Sequence, residues 1–295
     1  MKINILGGSG LVGHGIFQVL KDLYEVKVFN SSVFDKVNFS FKSDELFKCD
    51  LFIHAAGVTD EDVFSDYEYA LLKSTKLVNL IVSELKLGGC NKVIYVSSIH
   101  VFGSLYQDIS SSLLTNPKST YALFHNCAEK SFEIQMQSQF EDYELLILRV
   151  PTIYGFPENI NKINRPGIIQ FGFLLSLLEY GKIVLRSDGS QYRLFASNRS
   201  VGEFINRWIK DSKKTNFTKE TLNGQNYTVY DFALLCADRF NMRFHDRNVF
   251  VEKVSQVPTN DTLTPIKVVS KYAVKESYLI TEYMDDFFEV WDFPK

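Results

Sequence analysis

The chain has 295 residues, 45% hydrophobic and 23% charged, enough apolar material for a large core and none of the bias of disordered or fibrous chains. A formal net charge of -3 argues against a general nucleic-acid binder, which carries a basic excess. Four scattered cysteines (Cys49, Cys90, Cys127, Cys236) without a Cys-x-x-Cys pair speak against a metal site or disulfide framework, and no apolar run is long enough to span a bilayer. A cytoplasmic protein without membrane or nucleic-acid partners is expected.

Ile3-Asn4-Ile5-Leu6 reads as a first strand, and Gly7-Gly8-Ser9-Gly10-Leu11-Val12-Gly13 as a tight turn opening a helix to about Leu20. The glycines at 7, 10 and 13 each have a physical reason. Gly7 allows a turn that side-chained residues resist, Gly10 lets the backbone approach a pyrophosphate, and Gly13 lets helix and strand pack closely. The helix N-terminus offers N–H groups and partial positive charge to phosphates.

Glu25 to Phe29 reads as a second strand, ending at Asn30-Ser31-Ser32, and residues 33–48 as a polar-aromatic connection. Asp50 to Gly57 is a buried strand running into the small-residue turn Ala55-Ala56-Gly57. A helix from about Asp66 to Leu87 is expected, with Leu71, Thr75, Val78 and Val82 on one face. Lys92 to Ser98 is a continuous apolar strand of the kind parallel sheets bury on both faces. Tyr121 to Gln139 reads as helix and Glu144 to Val150 as strand; beyond Pro151, helices are expected near 168–180, 200–212 and 228–240. Strands alternating with helices in this way predict an α/β fold, a doubly wound parallel sheet with helices on both faces. The less regular tail would form a smaller mixed lobe over the carboxyl edge of that sheet.

Four stretches taken together are specific: Gly7-x-x-Gly10-x-x-Gly13, Ser97-Ser98-Ile-His-Val-Phe-Gly103, Tyr121-Ala-Leu-Phe-His125 and Leu148-Arg-Val-Pro-Thr-Ile-Tyr-Gly155. Their order and spacing resemble the extended short-chain dehydrogenase/reductases, the sugar-nucleotide epimerases, dehydratases and 4-keto reductases. Ala55-Ala56-Gly57, Asp188 to Phe195 and Leu222-Asn-Gly224 extend the likeness, which fades after about residue 245. The resemblance implies a dinucleotide-binding Rossmann domain over 1–155, with parts of 182–230 returning to it, and a mainly substrate-binding lobe over 156–295. It implies a nicotinamide cofactor held by Gly7, Gly10, Leu11, Val12, Gly13, Asn30, Ser31, Ala55, Ala56, Gly57, His125 and Pro151. Tyr121 matches the family's proton-exchanging tyrosine, and Ser98 the hydroxyl that hydrogen-bonds the same substrate oxygen. Arg193 matches an arginine that contacts the diphosphate of a nucleotide-sugar substrate, a task suited to a guanidinium fork.

Three departures shape the expectation. The family's Tyr-x-x-x-Lys lysine, which binds the nicotinamide ribose and lowers the tyrosine pKa, is His125 here. Either His125 substitutes for it in catalysis, protonated or neutral, with an altered pH dependence, or redox chemistry has been lost and a silent dinucleotide-binding protein remains. The second strand ends in Asn30 where NAD-preferring members carry an acid, which points to NADP, with NAD still open; Asn30, Ser31, Ser32 and Lys36 could meet a 2′-phosphate, or simply end the strand. Finally, Ile99-His100 replaces the Asp-Glu pair of dehydratases, and Asn198-Arg199-Ser200 lacks the usual acid. His54, His100 and His14 read as packed or solvated residues. Reduction of a 4-keto-6-deoxy sugar nucleotide is the leading expectation, with a 4-epimerase holding NAD as alternative. A homodimer through the helices bearing Leu71, Val78, Phe124 and Phe132 is allowed.

Overall fold

In β1 (Lys2–Leu6) every residue after Lys2 is buried, as a strand covered on both faces requires. The structure, a computed structural model, describes residues 1–103, 108–160, 167–213, 215–245, 247–254 and 263–291. From β1 the chain turns through the glycines into α1 (Leu11–Leu20) and returns as β2 (Glu25–Phe29), parallel to β1. A short hairpin, β3 (Phe34–Asp35) and β4 (Ser40–Phe41), fills the connection to β5 (Leu51–His54). Helices α2 (Asp60–Ser65), α3 (Tyr67–Ser74) and α4 (Lys76–Gly88) lead to β6 (Lys92–Ser98) and, after β7 (Asp108–Ile109), to α5 (Thr120–Gln139), β8 (Glu144–Val150) and β9 (Thr152–Tyr154).

The main sheet has six strands in the order β12-β8-β6-β5-β1-β2, all parallel. Ile3 and Ile5 face α1 and α7 in one apolar layer, whereas Leu6, Phe52 and Tyr95 face α4 and α5 in the other. The chain reverses its direction of travel between β1 and β5, and the carboxyl ends of those two strands meet. A Cβ on Gly7, whose φ is +87°, would lie 2.7 Å from the amide nitrogen of Ala56.

The rest of the chain comprises α6 (Ile169–Tyr180), β10 (Lys182–Leu185), β11 (Tyr192–Ser197), α7 (Asn198–Lys210), β12 (Phe217–Thr221), β13 (Gln225–Thr228), α8 (Val229–Arg243), β14 (Phe250–Lys253), β15 (Lys267–Val268) and α9 (Ile280–Val290). Helices α6, α8 and α9 share an aromatic core with Tyr154 and Phe195, beside the sheet β13-β11-β9. Between them, α7 and β12 cross back to the main sheet: β12 pairs with β8, and α7 lies on α1. That helix contact is close because Gly15 and Gly202 lie in it. A Cβ on Gly15 would come within 2.3 Å of the Asn198 carbonyl oxygen.

Several expectations need correction. The single helix from Asp66 to Leu87 is two helices, α3 and α4, preceded by the short α2 that begins at Asp60. Asp66 (φ -155°, ψ 85°) ends α2 and caps α3, its carboxylate accepting from the Tyr69 amide. Thr75 (φ -128°, ψ -77°) separates α3 from α4, where the Ser74 and Thr75 hydroxyls donate back to the carbonyls of Ala70 and Leu71. The helix near 200 starts at Asn198. Of the four residues offered for a dimer face, Val78, Phe124 and Phe132 are buried in the chain's own core; only Leu71 is exposed. All four cysteines are free, but Cys49 and Cys90 bring their sulfurs to 3.7 Å, an approach their separation in sequence does not suggest. Among the described residues no helix is long and apolar enough to cross a membrane, and no side-chain group could hold a metal ion.

Candidate active site

Strand β6 delivers two serines to its carboxyl end, and helix α5 runs back beneath it. Ser119 caps α5, its hydroxyl accepting from the Ala122 amide, so Tyr121 stands in the first turn at the mouth of the site. Tyr121, His125 and Glu129 follow at four-residue spacing and therefore share one face of the helix. The Tyr121 and His125 rings meet edge to face, with centroids 4.6 Å apart.

His125 is buried, one turn deeper than Tyr121. Its Nε2 lies 3.1 Å from the Val58 carbonyl oxygen and its Nδ1 lies 2.8 Å from the Tyr95 hydroxyl. A carbonyl can only accept, so Nε2 carries the hydrogen and Nδ1 accepts from Tyr95. Burial brings the imidazole pKa down to about 4, with the nearby charges of His100 and Lys73 acting the same way against the Val58 hydrogen bond. The side chain is neutral at physiological pH, so any part it plays at the site is that of an uncharged imidazole.

A further turn along, Glu129 is paired in two-pronged fashion with Arg149 of β8, at 3.0 and 2.7 Å, and accepts from the Ser97 hydroxyl at 2.6 Å. All three side chains are buried, and the guanidinium also lies 4.7 Å over the Phe102 ring. This knot fixes α5 against β6 and β8, and with it the height of Tyr121 over Ser98.

Ser98 and Tyr121 line one cleft of about 350 Å³ together with Leu11 and Val12 of α1, Val58, Thr59, Asp60, His100, Ser119, Pro151, Thr152, Ile153, Ile168 and Gln170. The Ser98 hydroxyl also accepts from the His100 amide at 3.3 Å. The wall from Gly57 to Thr59 is clamped residue by residue. Lys73 donates to the Gly57 carbonyl at 3.0 Å, His125 holds Val58, and Asp62 accepts from the Thr59 amide at 2.8 Å while pairing with Lys73 at 2.9 Å. Asp62 is held below its ordinary pKa by the Lys73 ammonium and these hydrogen bonds, which outweigh its burial.

The glycine turn has the geometry of a phosphate cradle. Gly13 must lack a side chain, since a Cβ there would sit 2.2 Å from the Gly7 carbonyl oxygen. Gly10 is the N-cap of α1; it supplies no side-chain cap, and the first turn holds no acid. The leading N–H groups of α1 thus keep their partial positive charge for an anion. Ala55, Ala56 and Gly57 follow β5 against this turn, and Gly57 packs on His125, where a Cβ would be 2.9 Å from Cε1.

Other expected residues lie elsewhere. Asn30 and Ser31 stand at the end of β2, outside the cleft, and the side-chain Oδ1 of Asn30 accepts from the Ser32 amide at 3.0 Å in a local turn. Lys36 places its ammonium 4.1 Å over the Tyr69 ring. Arg193 lies on β11 opposite Tyr227 and does not line the cleft. His54 is enclosed in the core and held near pKa 3 by burial, and the half-buried His14 lies 3.2 Å from Gln18. His100, read as packed or solvated, lines the cleft with its ring centroid 6.0 Å from that of Tyr121.

The missing acid near residue 200 is supplied from far along the chain. Glu276 accepts from the Ser197 amide at 2.9 Å and from the Ser200 hydroxyl at 2.8 Å, placing a carboxylate at the N-terminus of α7. No local motif announces it. Thr59-x-x-Asp62, by contrast, is a legible capping box.

Residues 3–217 match the family described as the NAD dependent epimerase/dehydratase family. A curated relative, GDP-6-deoxy-D-talose 4-dehydrogenase of Aggregatibacter actinomycetemcomitans, is 24% identical over 248 residues, which are 80% of this chain and 79% of that protein. UDP-N-acetylglucosamine 4-epimerase from Methanobrevibacter ruminantium, solved with UDP-N-acetylmuramic acid, superposes with a TM-score of 0.78 at 17% identity, covering 98% of each chain. UDP-glucuronic acid 4-epimerase from Bacillus cereus, solved with NAD, gives 0.76 at 16% identity, over 98% of this chain and 99% of that one. RMD from Pseudomonas aeruginosa, solved with NADPH, gives 0.73 at 15% identity, over 99% and 98%. At such identities the solved structures speak to the fold.

Proposed function

The chain belongs to the NAD dependent epimerase/dehydratase family, and from that premise we propose that it is an NAD(P)-dependent oxidoreductase of nucleotide-linked sugars, reducing a 4-keto-6-deoxy sugar nucleotide. The observation that carries the reading is the shared cleft: the Ser98 hydroxyl, the Tyr121 phenol and the start of α1 line one space. The residues present fit a dinucleotide, because the uncapped, acid-free N-terminus of α1 and the bare backbone of Gly10 suit a pyrophosphate. A bound nicotinamide supplies the hydride. Ser98 donates a hydrogen bond to the ketone oxygen, and Tyr121 gives that oxygen its phenolic proton as the carbon is reduced. Tyr121 then regains a proton from water. His125 holds the Val58 wall and backs the tyrosine ring.

Reduction is favoured over epimerisation by two observations. The curated relative is named for dehydrogenation at position 4 of a GDP-6-deoxy sugar, the reverse of a 4-keto reduction. Asn30 in place of an acid removes repulsion of a 2′-phosphate, so NADPH is the preferred donor, with NAD the alternative. Pairing of two copies through the exposed apolar residues of α3 and α5, among them Leu71 and Leu123, completes the proposal.

A second reading, a catalytically silent dinucleotide-binding protein, is favoured by the neutral, doubly hydrogen-bonded His125. The test is to mix purified protein with NADPH and a nucleotide-linked 4-keto-6-deoxy sugar. A reductase oxidises one NADPH per keto-sugar consumed. A 4-epimerase interconverts sugars with no net oxidation, and a silent protein binds dinucleotide without turnover.

A further inference from the structure

Gln170, the second residue of α6, is 1% exposed, and among the described residues one end of its side chain has no hydrogen-bond partner. Its Nε2 donates to the Ile153 carbonyl oxygen at 2.6 Å. Because that carbonyl can only accept, the amide cannot be turned round, and the group left without a partner is the carbonyl oxygen Oε1. The backbone of Gln170 is held as well, its carbonyl accepting from the Tyr283 hydroxyl at 3.4 Å. An amide oxygen buried without a donor is unfavourable, and the side chains around it, Phe171 and Leu174, show that α6 readily presents apolar residues inward. Gln170 nevertheless lines the cleft shared by Tyr121 and Ser98.

We propose that Gln170 Oε1 is a recognition acceptor, taking a hydrogen bond from an O–H or N–H donor of the ligand that fills the cleft. The inference rests on the dinucleotide and nucleotide-sugar reading above. Two parts of those ligands carry such a donor: the hydroxyls of the sugar and the carboxamide of the nicotinamide. The grip of Nε2 on Ile153 sets the direction of Oε1 beforehand, so the acceptor is oriented before the ligand arrives.

Calorimetric titrations of the native protein and of Gln170→Met, which keeps length but removes both polar atoms, test the assignment. One arm compares NADPH with its 3-acetylpyridine analogue, in which a methyl ketone replaces the carboxamide and removes its N–H donors. The other arm compares a nucleotide sugar with its single-deoxy analogues. The expected result is an affinity loss of about tenfold in the variant for one donor-bearing ligand, with its donor-less analogue binding both proteins alike. The arm in which the loss appears identifies the donor, and the unchanged analogue shows that the variant is folded. Native-like affinity of the variant for every ligand overturns the role of Gln170 and leaves the functional reading standing. So does an equal loss for ligand and analogue in both arms, which marks a packing effect. Failure of the native protein to bind any dinucleotide or nucleotide sugar overturns the functional reading, and this inference with it.

Discussion

The hydroxyl of Tyr95 lies 2.8 Å from Nδ1 of His125, and with the Val58 carbonyl on Nε2 it fixes the tautomer of that buried ring. Tyr95 is buried on β6, and burial pushes its phenol well above the ordinary tyrosine pKa, so it keeps its proton and donates it to the unprotonated Nδ1. With Nε2 donating to Val58, the ring meets one donor and one acceptor, the pattern of a neutral imidazole. Nothing in that pairing favours a second proton.

Acid sensitivity should follow. His125 titrates near 4 and His54 near 3 in the folded protein, both lowered chiefly by burial, against 6.5 for the ordinary side chain. The unfolded chain therefore binds more protons below pH 6.5, and stability present above that pH is lost as pH falls toward about 4. Urea unfolding of native protein and of His125→Gln between neutral pH and about pH 4.5 measures this. The variant should show the shallower decline; equal slopes would contradict the neutral, buried assignment.

Tyr121→Phe removes the phenolic proton but leaves the ring against His125. Turnover should fall by about a hundredfold to ten-thousandfold, while stability and dinucleotide affinity stay near native. Ser98→Ala should lose activity with little change in melting temperature. Full activity in the phenylalanine variant would remove Tyr121 from the chemistry.

Glu129 and Arg149 form an ion pair enclosed in the protein, with side chains 1% and 4% exposed. Glu129→Gln leaves a buried guanidinium uncompensated and should cost about 3–5 kcal/mol in denaturant unfolding. The double variant Glu129→Met with Arg149→Met should recover much of that loss, because no charge is then stranded.

The glycines of the first turn should separate folding from binding. A Cβ on Gly13 collides with the Gly7 carbonyl, so Gly13→Ala should destabilise the protein by about 1–3 kcal/mol. At Gly10 the nearest atom to an added Cβ is 3.3 Å away. Gly10→Ala should keep a near-native melting temperature and lose dinucleotide affinity, the methyl group standing where the pyrophosphate approaches.

What could be read from the sequence, and what could not, follows the range of the interactions. The inner strands β1, β5, β6 and β8 announce themselves by apolar runs, whereas the edge strand β12, Phe-Thr-Lys-Glu-Thr, carries no such run; Ser98 and Tyr121 sit in spaced motifs, and the cleft brings those two together with Leu11, Val12 and Pro151. The break at Thr75 is not legible in the sequence, because hydroxyl bonds back to the preceding turn compete locally with a hydrophobic periodicity that runs straight through. The state of His125 was out of reach, since its partners come from residues 30 and 67 positions away. Gln170 is an ordinary polar residue at the start of a helix until the fold turns it inward.

The bond from Glu276 to the start of α7 has a bearing on how the protein is made. Nearby, Asn223 exchanges two hydrogen bonds with the backbone of Val274, and Tyr272 reaches Asp211, so this late stretch is sewn into the layer formed by α1 and α7. Chains leave the ribosome N-terminus first, and domains generally fold as they emerge. Here the glycine turn is synthesised long before residue 276, yet the helix packed on α1 gains the carboxylate at its N-terminus only when that residue is added. A helix translated earlier is thus completed by a segment translated well after it, and a nascent chain stopped short of Glu276 would hold α7 with its Ser197 hydroxyl cap but without the carboxylate at its N-terminus.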